Sequence, residues 1–112
     1  MNEIETLLSE LQYDNKAVPF AHMKFIGESE YYITYTITTN RPALLADDSA
    51  QNSTESIDID IFTKDFSIMS TLMQSVKEKF IEYIWVEDSI EMYDDQTGYI
   101  HRTIEFQKED VV

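Results

Sequence analysis

Residues 56–62 read SIDIDIF, with isoleucine and aspartate alternating through Ile57, Asp58, Ile59, Asp60 and Ile61. A period of two marks a strand with one dry and one wet face, so the isoleucines point inward and the aspartates outward. The alternation breaks over residues 63–66. Apolar residues then return from Ile68 as Met69, Leu72, Val76, Phe80 and Tyr83, at steps of three and four, which is the spacing of an amphipathic helix. Neither strand nor helix can bury its apolar side alone, so together they form the floor and lid of one core.

Upstream of this unit, Asn2 is placed to cap a first helix with Glu5 as its capping-box partner, and Ile4, Leu7, Leu8 and Leu11 form its apolar stripe. Residues 13–16 read as a turn, and residues 18–25 as a strand that Pro19 confines to an edge or a strand start. After a second turn at residues 27–30 comes YYITYTITTN (31–40), with Tyr31, Ile33, Tyr35 and Ile37 on one side. Tyr32, Thr34, Thr36 and Thr38 take the other side.

Downstream of the second helix, residues 84–93 alternate with Ile84, Val86, Ile90 and Met92 inward and Trp85, Glu87, Glu91 and Tyr93 outward, and Asp88 marks a bend. The DDQTG run at 94–98 is a turn whose Gly98 suits a left-handed backbone. Residues 99–107 return as a strand with Ile100, Ile104 and Phe106 facing the core, and the KEDVV tail frays. The expected architecture is α+β in the order α-β-β-β-α-β-β, a mostly antiparallel sheet of four or five strands with two helices on one face.

With 112 residues the chain is expected to form a single domain, residues 1–112. Its 8 basic and 22 acidic residues give a net charge of −14. Such a charge opposes direct binding to nucleic-acid backbones or anionic membranes and leaves basic protein surfaces as partners. Cysteine is absent, which excludes disulfides, thiolate nucleophiles and cysteine zinc sites. No stretch approaches the roughly 20 apolar residues of a membrane span, and the N-terminus lacks a signal-peptide pattern, so a soluble intracellular product is expected.

Catalytic and metal chemistry find little support. Asp58 and Asp60 lie on one face of a strand, about 7 Å apart, and alternation alone explains that spacing. His22 and His101 sit on different strands with no carboxylate pattern that fixes a metal or a triad. Asp94, Gln96 and Gly98 lack the remainder of a twelve-residue calcium loop. The expectation is no catalytic residue, no metal and no cofactor. Outward aromatics (Tyr32, Trp85, Tyr93, Tyr99) suit a protein interface better than a base-stacking platform, because single-strand binders set their aromatics in basic grooves.

Residues 41–55, RPALLADDSAQNSTE, have no sustained period. A loop of about fifteen structureless residues is uncommon in a compact domain unless it binds something. This segment is therefore the expected assembly element, mobile in the free chain, with Leu44 and Leu45 as docking residues beside Asp47 and Asp48. Trp85, Tyr93 and Tyr99 complete the candidate interface.

The strand YYITYTIT, the segment ALLADDSAQNSTESIDIDIFTKD ahead of a helix and the hairpin MYDDQTGYIHRTIEF together resemble the tail completion or tail-terminator (head-tail joining) proteins of long-tailed bacteriophages and prophages, over about residues 31–106. One departure is the absence of glycine between the second helix and the next strand, at Tyr83-Ile84-Trp85. The resemblance implies a non-enzymatic structural subunit that forms a hexameric ring on the tail tube and presents the tail to the head connector. Such a subunit is assembled in the host cytoplasm and resides in the virion tail. An acidic lumen would let DNA pass without sticking. The alternative raised by the charge is an acidic DNA mimic that occupies a host nucleic-acid-binding protein.

Overall fold

A computed structural model describes residues 3–40 and 52–111. Helix α1 (Glu3–Ser9) leads into a ribbon of β1 (Gln12–Tyr13) and β2 (Lys16–Ala17), followed by β3 (Phe20–His22), β4 (Tyr31–Asn40) and β5 (Asn52–Thr63). Helix α2 (Phe66–Lys79) precedes β6 (Ile84–Asp88), β7 (Met92–Tyr93) and β8 (Ile100–Val111). The protein is α+β, with both helices packed on one face of a six-stranded sheet ordered β3-β4-β5-β8-β6, and β7 paired to β8.

The alternating stretch lies at the centre of that order. Ile57, Ile59 and Ile61 on β5 face Ile37, Tyr35 and Ile33 on β4, and Ile57 and Ile59 face Phe106 and Ile104 on β8. Ile4 and Leu8 of α1 and Met69, Leu72, Met73 and Val76 of α2 close over this floor, with Phe80 stacked on Phe106 at 5.1 Å. Tyr35 Oη donates to Glu5 Oε2 at 2.6 Å, tying α1 to the sheet. The Glu5 carboxylate thus has a sheet partner, while Asn2, its expected capping partner, lies outside the described residues.

Local chemistry explains the element ends. Asp14 and Asn15 have φ of 56° and 64°, the two left-handed residues of a two-residue hairpin, and their short polar side chains tolerate that region. Asp65 caps α2 by accepting from the backbone N–H groups of Ser67 and Ile68. The helix stops at Lys79, short of the expected Tyr83. Phe80 is its C-cap with φ −98°, and its N–H reaches Val76 O, so the exit needs no left-handed glycine.

Four expectations are corrected. The sheet is mixed and larger than expected, because β3 runs parallel to β4. Parallel neighbours ordinarily need a long crossover. Here His22 lies beside Tyr35, so residues 23–30 have only to climb back to Tyr31, roughly 13 Å at about 3.3 Å per residue. Second, β5 begins at Asn52 and β8 reaches Val111, the two pairing from Asn52↔Val111 inward. The expected loop therefore ends before Asn52, and the tail, expected to fray, is paired up to Val111.

Third, residues 84–93 do not form one alternating strand. They divide into β6 and β7, and a bulge falls at Val86, where Trp85 pairs with Phe106 but Glu87 pairs with the adjacent Glu105. Ile84 lies opposite Gln107, already on the open face ahead of the bulge, Val86 is the extra residue itself, Ile90 lies between the two strands, and Met92 lies opposite His101 on the open face. Ile84, Val86, Ile90 and Met92, expected inward, are all exposed. Fourth, Trp85 shares the helix-side face with Phe106 and is not on the outward face. Its indole Nε1 donates to Asp88 Oδ1 at 2.9 Å, and Lys77 Nζ lies 5.0 Å from its ring.

Candidate protein-interaction site

The sheet face away from the helices carries the off-phase residues of three long strands, and register brings them into line. Tyr32 of β4 pairs with Phe62 of β5, which pairs with His101 of β8, which in turn pairs with Met92 of β7. Three of these side chains are rings, and they stack with Phe25 as a fourth. Centroid spacings are 4.6 Å for Phe25–Tyr32, 4.6 Å for Tyr32–Phe62 and 4.3 Å for Phe62–His101, with planes 17°, 14° and 9° apart. Tyr99 meets Tyr32 and Phe62 edge-on.

Polar contacts lock this array. His101 Nε2 is 2.9 Å from Asp60 Oδ1, and Thr103 Oγ1 donates to the same oxygen at 2.5 Å. Burial works against ionisation of Asp60, yet the hydrogen bonds from His101 and Thr103 hold its carboxyl below the ordinary range. Burial pushes Asp58 upward, with the charge of Asp60 adding to it. The Tyr99 hydroxyl donates to Ser29 O, and Lys64 Nζ sits 5.0 Å from the Tyr99 ring.

Beside the stack opens a cleft of about 280 Å³, walled by Tyr32, Phe62, Tyr93, Tyr99 and His101 with Asp94 at its rim; Met92 and Thr97 complete it. The turn that shapes the rim is closed by Gly98 N–H to Asp94 O at 2.8 Å and Asp94 N–H to Tyr99 O at 2.9 Å. Gly98 has φ +79° there, as its place in DDQTG predicts. The backbone N–H of Gln96, with help from Thr97, holds the Asp94 carboxyl below its usual pKa.

No protein-family model matches the chain, and no curated protein matches it.

Of the interface residues expected from sequence, Tyr93 and Tyr99 meet in the cleft, and Trp85 stands apart on the helix side. Leu44, Leu45, Asp47 and Asp48 lie outside the described residues. Sequence reasoning missed Phe25, Phe62 and His101 as members of one stack. Phe62 and His101 are off-phase to the inward residues of their own strands and meet through cross-strand register, whereas Phe25 lies beyond β3 and reaches Tyr32 from the connection to β4. Among the described residues no group of three or more His, Asp or Glu side chains is arranged to hold a metal ion.

A second surface adjoins the cleft. Residues 84–93 leave Ile84 60%, Trp85 55%, Ile90 79% and Tyr93 62% exposed, along the edge strand β6 and the short strand β7. Among the described residues no helix is long and apolar enough to cross a membrane.

Proposed function

We propose that this protein is a structural, non-enzymatic assembly subunit that associates with copies of itself through the β6–β7 margin of its sheet. The observation that carries this reading is the set of large apolar side chains within residues 84–93 left exposed along one edge of the sheet. Large apolar side chains gathered at one sheet edge mark an interaction surface, and an edge strand still has backbone groups free to pair. A second copy of the chain is the occupant.

Together with the resemblance of residues 31–106 to tail-terminator proteins, this supports a finer reading: a hexameric ring that caps a phage tail tube and joins it to the head connector. The ring would be built in the host cytoplasm and carried in the virion. With −14 charges per subunit, a ring would present DNA with a repelling surface rather than a binding one.

Affinity recovery of the tagged chain from cells producing phage, with the native mass of the recovered species, tests both levels. Recovery as a ring with tail and connector proteins supports the full reading. A strict monomer at high concentration overturns the self-association. Recovery with a host DNA-binding protein favours the acidic-mimic alternative instead.

A further inference from the structure

The aromatic cleft on the open face shares Met92 and Tyr93, the whole of β7, with the margin proposed for assembly, while its other lining residues lie on β4, β5, β8 and the turn after β7. Five aromatic residues line it, and the rings of four are fixed by contacts within the molecule: Tyr32, Phe62 and His101 by stacking, and Tyr99 by its edge contacts and its bond to Ser29. A wall already ordered loses little side-chain freedom when something enters.

Charge selects what enters. Asp94 is at the rim, Asp60 lies directly behind His101, and the chain as a whole carries −14. Aromatic faces attract cations, and an anionic surround strengthens that attraction. The molecule already uses one of these rings in this way, since Lys64 Nζ rests 5.0 Å from the Tyr99 centroid while taking no part in the cleft wall. Among cationic side chains, the guanidinium is planar, weakly hydrated and suited both to stack on a ring and to bind a carboxylate, whereas an ammonium holds its water more strongly.

The geometry points to this cleft as a docking site for an arginine side chain of a basic protein partner, its guanidinium among Tyr93, Tyr99 and His101 and in contact with the Asp94 carboxylate. The carboxylate supplies directional hydrogen bonds and the rings supply the stacking surface.

The test is an amide NMR titration of the full chain with N-acetyl-Arg-Leu-amide and with its neutral citrulline counterpart. Saturable shifts concentrated at Tyr93, Thr97, Tyr99 and His101 are expected with the arginine probe, with no saturation by the citrulline probe. Asp94→Asn and Tyr93→Ser should each weaken binding at least fivefold. Both side chains are exposed, so the variants retain the fold, and their spectra report that directly. Shifts spread evenly over the acidic surface, equal response to the citrulline probe, or unchanged affinity in both variants would overturn the assignment. Saturation of the same residues by adenosine monophosphate in place of the arginine probe would overturn it too, because the cleft would then be a platform for a base.

Discussion

His101 lies flat on Phe62, ring centroids 4.3 Å apart and planes 9° from parallel, while its Nε2 reaches Asp60. A residue whose sequence context shows only an isolated histidine is therefore the outermost ring of a stack that crosses three long strands. The stack gives the open face a fixed relief, and the Asp60 hydrogen bonds keep its last ring in place.

Asp60 makes this arrangement pH-dependent. Its folded pKa is lowered, so the stability it contributes is present above the unfolded value of about 3.9 and is lost as pH falls through the lower folded value. Asp60→Asn should cost about 1 kcal/mol at pH 7, at the low end for a charge-assisted bond because the site is partly open to water. Denaturant titrations from pH 7 down to strongly acidic pH should show the gap between wild type and variant closing only below the ordinary carboxylate range. A gap that is constant with pH would mean that Asp60 acts by shape alone.

Asp58 has the opposite sign. Its folded pKa is raised, so ionising it costs more in the folded state, and the protein loses stability as pH rises through that value. Asp58→Asn should be neutral or slightly stabilising at pH 7, with the benefit vanishing in acid. Destabilisation at neutral pH would show that Asp58 makes a favourable interaction in its charged form.

The central strand, the second helix and their shared core were legible from SIDIDIF and from the steps of three and four after it, because alternation and helical spacing are local signals. Gly98 was legible for the same reason. The face taken by Ile84 and the bulge at Val86 were not, since both are set by pairing with β8, and nothing in IWVED marks the extra residue. The parallel strand β3 was hidden by its brevity. The cleft was half legible: Tyr93 and Tyr99 stand out as aromatics flanking a turn, but their company with Phe62 and His101 follows from the pairing of β8 with both β5 and β7.

The core prediction is sharp. Ile59 is 0% exposed and sits between Tyr35 and Ile104. Ile59→Asp places a carboxyl there without a partner, at a cost on the order of several kcal/mol, against a total stability of about 5–15 kcal/mol for a domain. Circular dichroism should show a large fall in melting temperature or a chain unfolded at 25 °C. An unchanged melt would be incompatible with the β4–β5–β8 register.

At the cleft rim, Gly98→Ala should destabilise by about 1 kcal/mol through its left-handed backbone, because no atom lies within 4 Å of where the added carbon would sit. Gly98→Asn should cost less, since asparagine tolerates that region better. Equal losses for the two substitutions would point to a steric cause and not a backbone one.

The assembly reading turns on Ile84 and Ile90. Both are exposed, at 60% and 79%, and neither belongs to the core, so Ile84→Ser combined with Ile90→Ser should leave monomer stability within about 0.5 kcal/mol for each site. If the β6–β7 margin is where copies meet, the double variant removes apolar surface from the middle of that contact at roughly 25 cal/mol per Å². Sedimentation or native mass measurements should then show the multimer dissociating to folded monomers. The serines keep the −14 charge, so the loss cannot be assigned to electrostatic repulsion. A double variant that assembles like the wild type would remove this margin from the interface and place the contact elsewhere on the molecule.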